Sequence, residues 1–244
     1  MIQNITPLMT GKEFWEMADE TKLKGEYKIN DNLKWMQEVT QDELKQLFAE
    51  YRVFTIWFAD DLSLLTAKLP HGKLKSMMAE LVHEELGEGN PKYSHLTILD
   101  EFIVSLGVNR NELDKPTMPE NIALLEEQRR LLLDKPSTYG VALRGMGGEC
   151  ICQTYLTVMH YYLCQNPYIK ANKPSLDWRW WNIHTGEVDI AHNQMVKASI
   201  DELIQEKPES VNELASGYRH AKEFLEKFWE NIYALVRSNQ KNKS

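Results

Sequence analysis

Apolar residues in this chain recur at intervals of three and four along most of its length, and β-branched alternation never persists for more than a few residues. That period belongs to helices with one buried stripe, so the fold class is all-α. Helix starts are legible as capping boxes, in which a Ser or Thr oxygen and a Glu three residues on satisfy orphan amides. Thr10 with Glu13, Thr40 with Glu43 and Ser210 with Glu213 fit that pattern. Pro70, Gly87, Gly107, Pro136, Pro167 and Pro208 supply the stops, because proline lacks the amide donor and glycine leaves a helix cheaply. Helices are expected near 11–23, 41–69, 72–86, 92–106, 119–134, 138–165, 176–206 (interrupted) and 210–238. This makes a bundle of about seven or eight.

No Gly/Ser linker, charge block or composition break divides the chain, so residues 1–244 are expected to form a single helical domain, with a core of about 41–238 and the segment 1–40 packed on it. Lys plus Arg number 28 against 36 Asp plus Glu, a formal charge of −8 that repels a phosphate backbone and argues against nucleic acid as a partner. Met1 to Thr10 lacks the basic stretch and apolar run of a secretory signal, and the most apolar segment, Val53 to Leu65, contains Asp60 and Asp61. No membrane span is expected. The three cysteines, Cys150, Cys152 and Cys164, fall in one expected helix, where an i, i+2 disulfide is geometrically poor. A reducing, cytoplasmic setting is the expectation.

A helical bundle binds redox metals by projecting Glu, Asp and His inward from several helices. Asp189 and His192 are one turn apart and share a face, and His184 lies eight residues before His192. The five-residue step from His184 to Asp189 separates them by about 140° in a regular helix, which a π-bulge at Gly186 would correct. The alternative is a solvated amphipathic helix, although Trp180, Trp181, Ile183, Val188 and Ile190 turn part of it toward a core. Glu85 and His95 are ten residues apart, about 15 Å along an unbroken helix. Gly87, Gly89 and Pro91 break it, so carboxylate and imidazole can converge from two segments, unless the stretch is only a turn with exposed acidic residues. Because Glu84, Glu85 and Glu88 repel one another, 80–95 is expected to be a mobile wall, displaced without metal and with Glu85 and His95 too far apart to share an ion. Glu149 falls within a long apolar helix and needs a metal, an Arg or a His opposite, while Gly145 and Gly148 let another helix approach. His160, about 16 Å further along the same face, is placed to line a pocket or to sit in the core as a hydrogen-bonded imidazole.

In order along the chain, Glu84, Glu85, Gly87, His95, Leu106 and Gly107, then a Gly-rich helix with Glu149, then His184, Asp189 and His192 resemble the heme-oxygenase-like diiron oxidases and oxygenases. The CADD-like members are the most similar in pattern, and the resemblance spans residues 41–206. It implies a heme-oxygenase-like bundle in which Glu85, His95, Glu149, His184, Asp189 and His192 hold two irons per chain, with Mn also admissible and one carboxylate bridging. Asp60 or Asp61 would stand where some members add a carboxylate, Glu88 competes with Glu85, and His160, Arg144 and Trp181 are candidate pocket residues. One residue more than usual separates His184 from Asp189. The implied activity is that of an oxidoreductase that activates O2 to oxidise a small amine, amino acid or fatty-acid-like substrate. An external electron donor and a homodimer are both compatible with it.

Two other readings fit the same residues. A ferritin-like di-metal site would use Glu80 with His83 and Asp189 with His192. A thiaminase-like, cofactor-maturation or metal-free binding protein of the same fold would need no metal, and the first of these would need Cys150 or Cys152 as a thiol beside Arg144. Heme is disfavoured because no histidine precedes His71.

Overall fold

The computed structural model describes residues 9–114, 118–185 and 187–241, and the side chains of 23–32, 187–193 and 239–241 lie outside that description. Its elements are α1 (Gly11–Leu33), α2 (Gln41–Lys68), α3 (Lys73–Glu85), α4 (His95–Ser105), α5 (Pro119–Asp134), α6 (Ser137–Gly140), α7 (Gln153–Leu163), α8 (Pro167–Asn172), α9 (Arg179–His184), α10 (Glu187–Glu206) and α11 (Val211–Lys241). Between α6 and α7 the chain is a π-helix, Val141–Cys152, so Ser137 to Leu163 is one continuous helix with an underwound centre. The described residues contain no strand, and the fold is all-α as the period requires.

Two of the three capping boxes form. Thr10 accepts from Glu13 N at 3.2 Å while Glu13 accepts from Thr10 N at 2.7 Å, and Thr40 and Glu43 do the same. The third does not. Pro208 starts a 3₁₀ turn that runs into α11, so the Ser210 hydroxyl donates back to Lys207 O at 2.7 Å, and Glu213 is taken by the Thr138 hydroxyl.

The helix Ser137–Leu163 runs through the centre of the molecule. Its π segment packs chiefly on α11 and also on α10 and α2. Close approach is what the glycines there permit: a Cβ on Gly148 would stand 2.4 Å from the Phe58 ring of α2, and one on Gly145 would stand 2.4 Å from Met78 of α3. The N-terminal α1 packs on α11 and α7. Buried Asn166 then ties the following segment down by donating to Met36 O (2.9 Å) and Val39 O (2.8 Å).

The π geometry is thus not where the His184–Asp189 spacing called for it. Instead of a widened turn inside one helix, α9 ends at His184, the Thr185 amide and hydroxyl both close on Trp181 O (3.0 and 2.6 Å), and α10 starts at Glu187. Gly186 itself lies outside the described residues.

Between α3 and α4 the chain reverses in a turn with hydrogen bonds along its length. Glu88 N donates to His83 O (2.8 Å), Gly87 N to Glu84 O (2.9 Å) and Asn90 N to Gly87 O (2.8 Å), while the Thr97 hydroxyl reaches Pro91 O at 2.8 Å. Gly87 has φ of 85°, and a Cβ there would meet Asn90 O and Ser94 N at 2.4 Å; Gly89 has φ of 84° but open space around it. Gly89→Ala should therefore cost only the left-handed backbone strain, about 1–2 kcal/mol, and Gly87→Ala clearly more. Urea unfolding of the two variants measures the difference, and equal losses would show that the close backbone approach does not matter.

Candidate metal centre

The turn brings the ends of two helices together. Glu85, the last residue of α3, and His95, the first of α4, face each other with Oε1 3.0 Å from Nδ1, both nearly buried. The turn is closed by its own backbone hydrogen bonds, and these hold the pair together. His184, at the end of α9, sets its ring 4.8 Å from that of His95, and Trp180, one turn earlier, lies 3.9 Å from His184. Glu149 comes from the π segment.

These residues line one cavity of about 40 Å³. On α2 the wall is Tyr51, Phe54, Thr55 and Phe58, a stripe at i, i+3, i+4 and i+7; on the central helix it is Gly148, Glu149, Cys152, Gln153 and Leu156; Trp180, His184, Glu85 and His95 complete it. Four of the six expected ligands thus share one chamber. Its lining has two carboxylates, two imidazoles and, among the described residues, no lysine or arginine. Mixed oxygen and imidazole donors of this kind suit ferrous or manganous ions, so the side chains present fit the implied metal. Asp189 and His192 stand on α10, whose backbone starts three residues after His184, but their side chains lie outside the described residues. Among the described residues no three His, Cys, Asp or Glu groups are yet placed to hold one ion.

Other candidates belong elsewhere. Asp61 is fully buried but accepts from Arg129 Nε at 2.6 Å and from Arg144 Nε at 2.9 Å, and Asp60 is exposed with Arg129 at 3.5 Å. Arginines satisfy what a metal would have. Arg144 does not line this cavity: burial pulls its pKa down, Asp61 opposes that, and its guanidinium lies 5.6–5.9 Å from the rings of Phe54, Phe58 and Phe224. Glu88 is exposed on the turn at φ of 54°. Trp181, fully buried, packs on Phe48, Phe102 and His160, so it is Trp180 that faces the cavity. His160 lies outside the cavity and is half-buried, with its ring stacked on Trp181, Nε2 3.4 Å from Cys164 Sγ and its pKa lowered by burial and by Lys173. Glu80 and His83 are exposed on α3, which removes the ferritin-like pairing.

Sequence reasoning missed Tyr51, Thr55 and Gln153, and it chose Trp181 over Trp180 for the pocket. The signal for the first two was the α2 stripe Tyr51-Phe54-Thr55-Phe58, which reads equally as core. Of the two candidate thiols, Cys152 reaches the cavity, with Sγ 3.9 Å from the Tyr51 hydroxyl, whereas burial pushes Cys150 up to about 12.

The architecture is that of the heme-oxygenase-like fold, and solved structures share it. A CADD-like protein of unknown function from Nostoc punctiforme PCC 73102 superposes with a TM-score of 0.73 at 18% identity, covering 93% of this chain and 99% of its own. A domain of unknown function with a heme oxygenase-like fold from Shewanella denitrificans OS217 gives 0.69 at 14%, covering 94% and 92%. A TenA homolog from Pseudomonas syringae pv. tomato str. DC3000 gives 0.71 at 13%, covering 95% and 98%. No curated protein matches by sequence. Residues 45–226 match the family described as iron-containing redox enzymes, and the chain belongs to that family. No helix among the described residues is long and apolar enough to cross a membrane.

Two outcomes are expected. Asp61→Ala strands the Arg144 charge in the core and should cost about 3–5 kcal/mol, part of which returns in Asp61→Ala/Arg144→Met; a melt of the double variant no higher than that of the single one would contradict this. Cys150 should resist iodoacetamide at pH 8 in the folded protein, its thiol being neutral and covered. Peptide mass spectrometry showing Cys150 alkylated before unfolding would reject that.

Proposed function

We propose that this chain holds a non-heme iron pair and uses O2 to oxidise a small organic substrate, an amine, amino acid or fatty-acid-like molecule. One observation carries the reading: Glu85, His95, Glu149 and His184, drawn from four separate elements, line the same aromatic-walled cavity. Glu85 and Glu149 would supply the carboxylates and His95 and His184 imidazoles, with Asp189 and His192 of α10 completing the set. Ferrous iron bound there would supply open coordination positions and electrons for O2 activation.

The chain's own contribution is positioning and exclusion of water. Glu85, His95 and His184 stand at helix ends and Glu149 in the π segment, so the backbone fixes where each of these side chains starts. The turn 86–94 fixes the Glu85–His95 spacing. Phe54, Phe58, Leu156 and Trp180 keep the chamber apolar between its polar groups, so charged donors there act in a low dielectric and reactive species are screened from water.

Protein purified after growth with iron should contain about two irons per chain, the number the resemblance implies, and should consume O2 once loaded in the ferrous state. Glu149→Ala and His184→Ala should each lose most of that iron by elemental analysis while far-UV helicity is kept. Full iron in both variants would refute the assignment.

A further inference from the structure

Hydroxyls on these helices normally have a job. Ser63 and Thr66 of α2 donate to Ala59 O (2.9 Å) and Leu62 O (2.8 Å), and Thr154 and Thr157 donate to Cys150 O (3.2 Å) and Gln153 O (2.9 Å). This back-bonding to the preceding turn is the ordinary way for a helical Ser or Thr to satisfy itself. Thr55 does not do it. Its Oγ1 is buried, the residue is 5% exposed, and the oxygen has no hydrogen-bond partner among the described residues. Thr55 lines the same cavity as Glu85, His95, Glu149 and His184. The Trp180 indole N–H, on that cavity's wall, is also buried without a partner among the described residues, although Trp35 and Trp181 share that state away from it.

An unspent buried hydroxyl is a cost that folding does not recover, and valine would fill the same space without it. A polar group kept at such a cost beside a ligand chamber is one that a ligand satisfies. We propose that Thr55 is a ligand-contacting residue of the candidate centre, its hydroxyl donating to a small hydrogen-bond acceptor held beside the metal-binding side chains, with Trp180 N–H as a second donor. This rests on the iron reading of the cavity. The chamber is small, about 40 Å³, so the acceptor is a molecule of a few atoms or the polar end of a longer substrate.

The test compares Thr55→Val, which keeps the shape and deletes the hydroxyl, with Thr55→Ser, which keeps the hydroxyl. In metal-free protein Thr55→Val should raise the melting temperature by about 2–4 °C, because nothing in the fold uses the hydroxyl. In iron-loaded protein of equal iron content, azide affinity by optical titration should fall about tenfold in Thr55→Val and return in Thr55→Ser. If azide is unaffected and butyrate, followed by calorimetry, is weakened instead, the acceptor is the substrate's headgroup and the assignment stands. Unchanged affinity for both probes overturns it, as does a lower melting temperature for metal-free Thr55→Val. A wild-type chain that takes up no iron defeats the iron reading alone, and the melting comparison then decides for or against the unspent hydroxyl.

Discussion

A single carboxylate without solvent access organises the centre of this molecule. Asp61 on α2 accepts from Arg144, which projects from the π segment, and from Arg129 on α5, so three elements meet at one buried charge. A pair of this kind need not add net stability over apolar packing, but it tolerates very little displacement, because moving either partner leaves a charge uncompensated in the interior. It therefore sets the register between α2 and the central helix. That register in turn puts Tyr51, Phe54, Thr55 and Phe58 opposite Gly148, Glu149 and Cys152. The guanidinium lies against Phe54 and Phe58 as well, so the apolar wall of the cavity is supported by the same group.

Much of the bundle was legible because its punctuation is local. Thr10, Thr40, Gly107 and Pro136 announce boundaries through effects confined to about a turn of the chain, and helices such as Gln41–Lys68 start where those signals put them. What local pattern does not encode is the phase of a helix buried on nearly every side. The π segment Val141–Cys152 has no side-chain cap and, apart from Arg144 and Glu149, no polar side chain to mark a face, and it packs on α11, α10 and α2, which lie far off in sequence. Ser210 failed as a cap for a related reason: its neighbour Pro208 imposed a tighter turn than the box requires.

The candidate site shows the same division. Glu85 and His95 could be paired from sequence because the glycines between them are strong breakers, and the structure joins them. How the turn between them is closed was not legible, since it depends on hydrogen bonds such as Glu88 N to His83 O that only the folded turn reveals. Trp180 and Trp181 are adjacent, and which one meets the cavity depends on about 100° of helix rotation that composition does not report. Asp61 was a plausible ligand on residue type alone. Its distinction from Glu149 lies in the company it keeps, two arginines against a chamber with imidazoles.

The underwound stretch has an implication for how a lineage of such chains can change. Along Ser137–Leu163 the widened turns hold more residues than a regular α-helix would, so a single residue gained or lost there can be taken up by the turns themselves, where in a regular helix it would swing Gln153 through Leu163 by roughly 100° about the axis. Leu156 then keeps its place on the chamber wall and Tyr155 its stack on Trp229. A change of length by one residue, ordinarily confined to surface loops, thus has a buried span in which it can be absorbed.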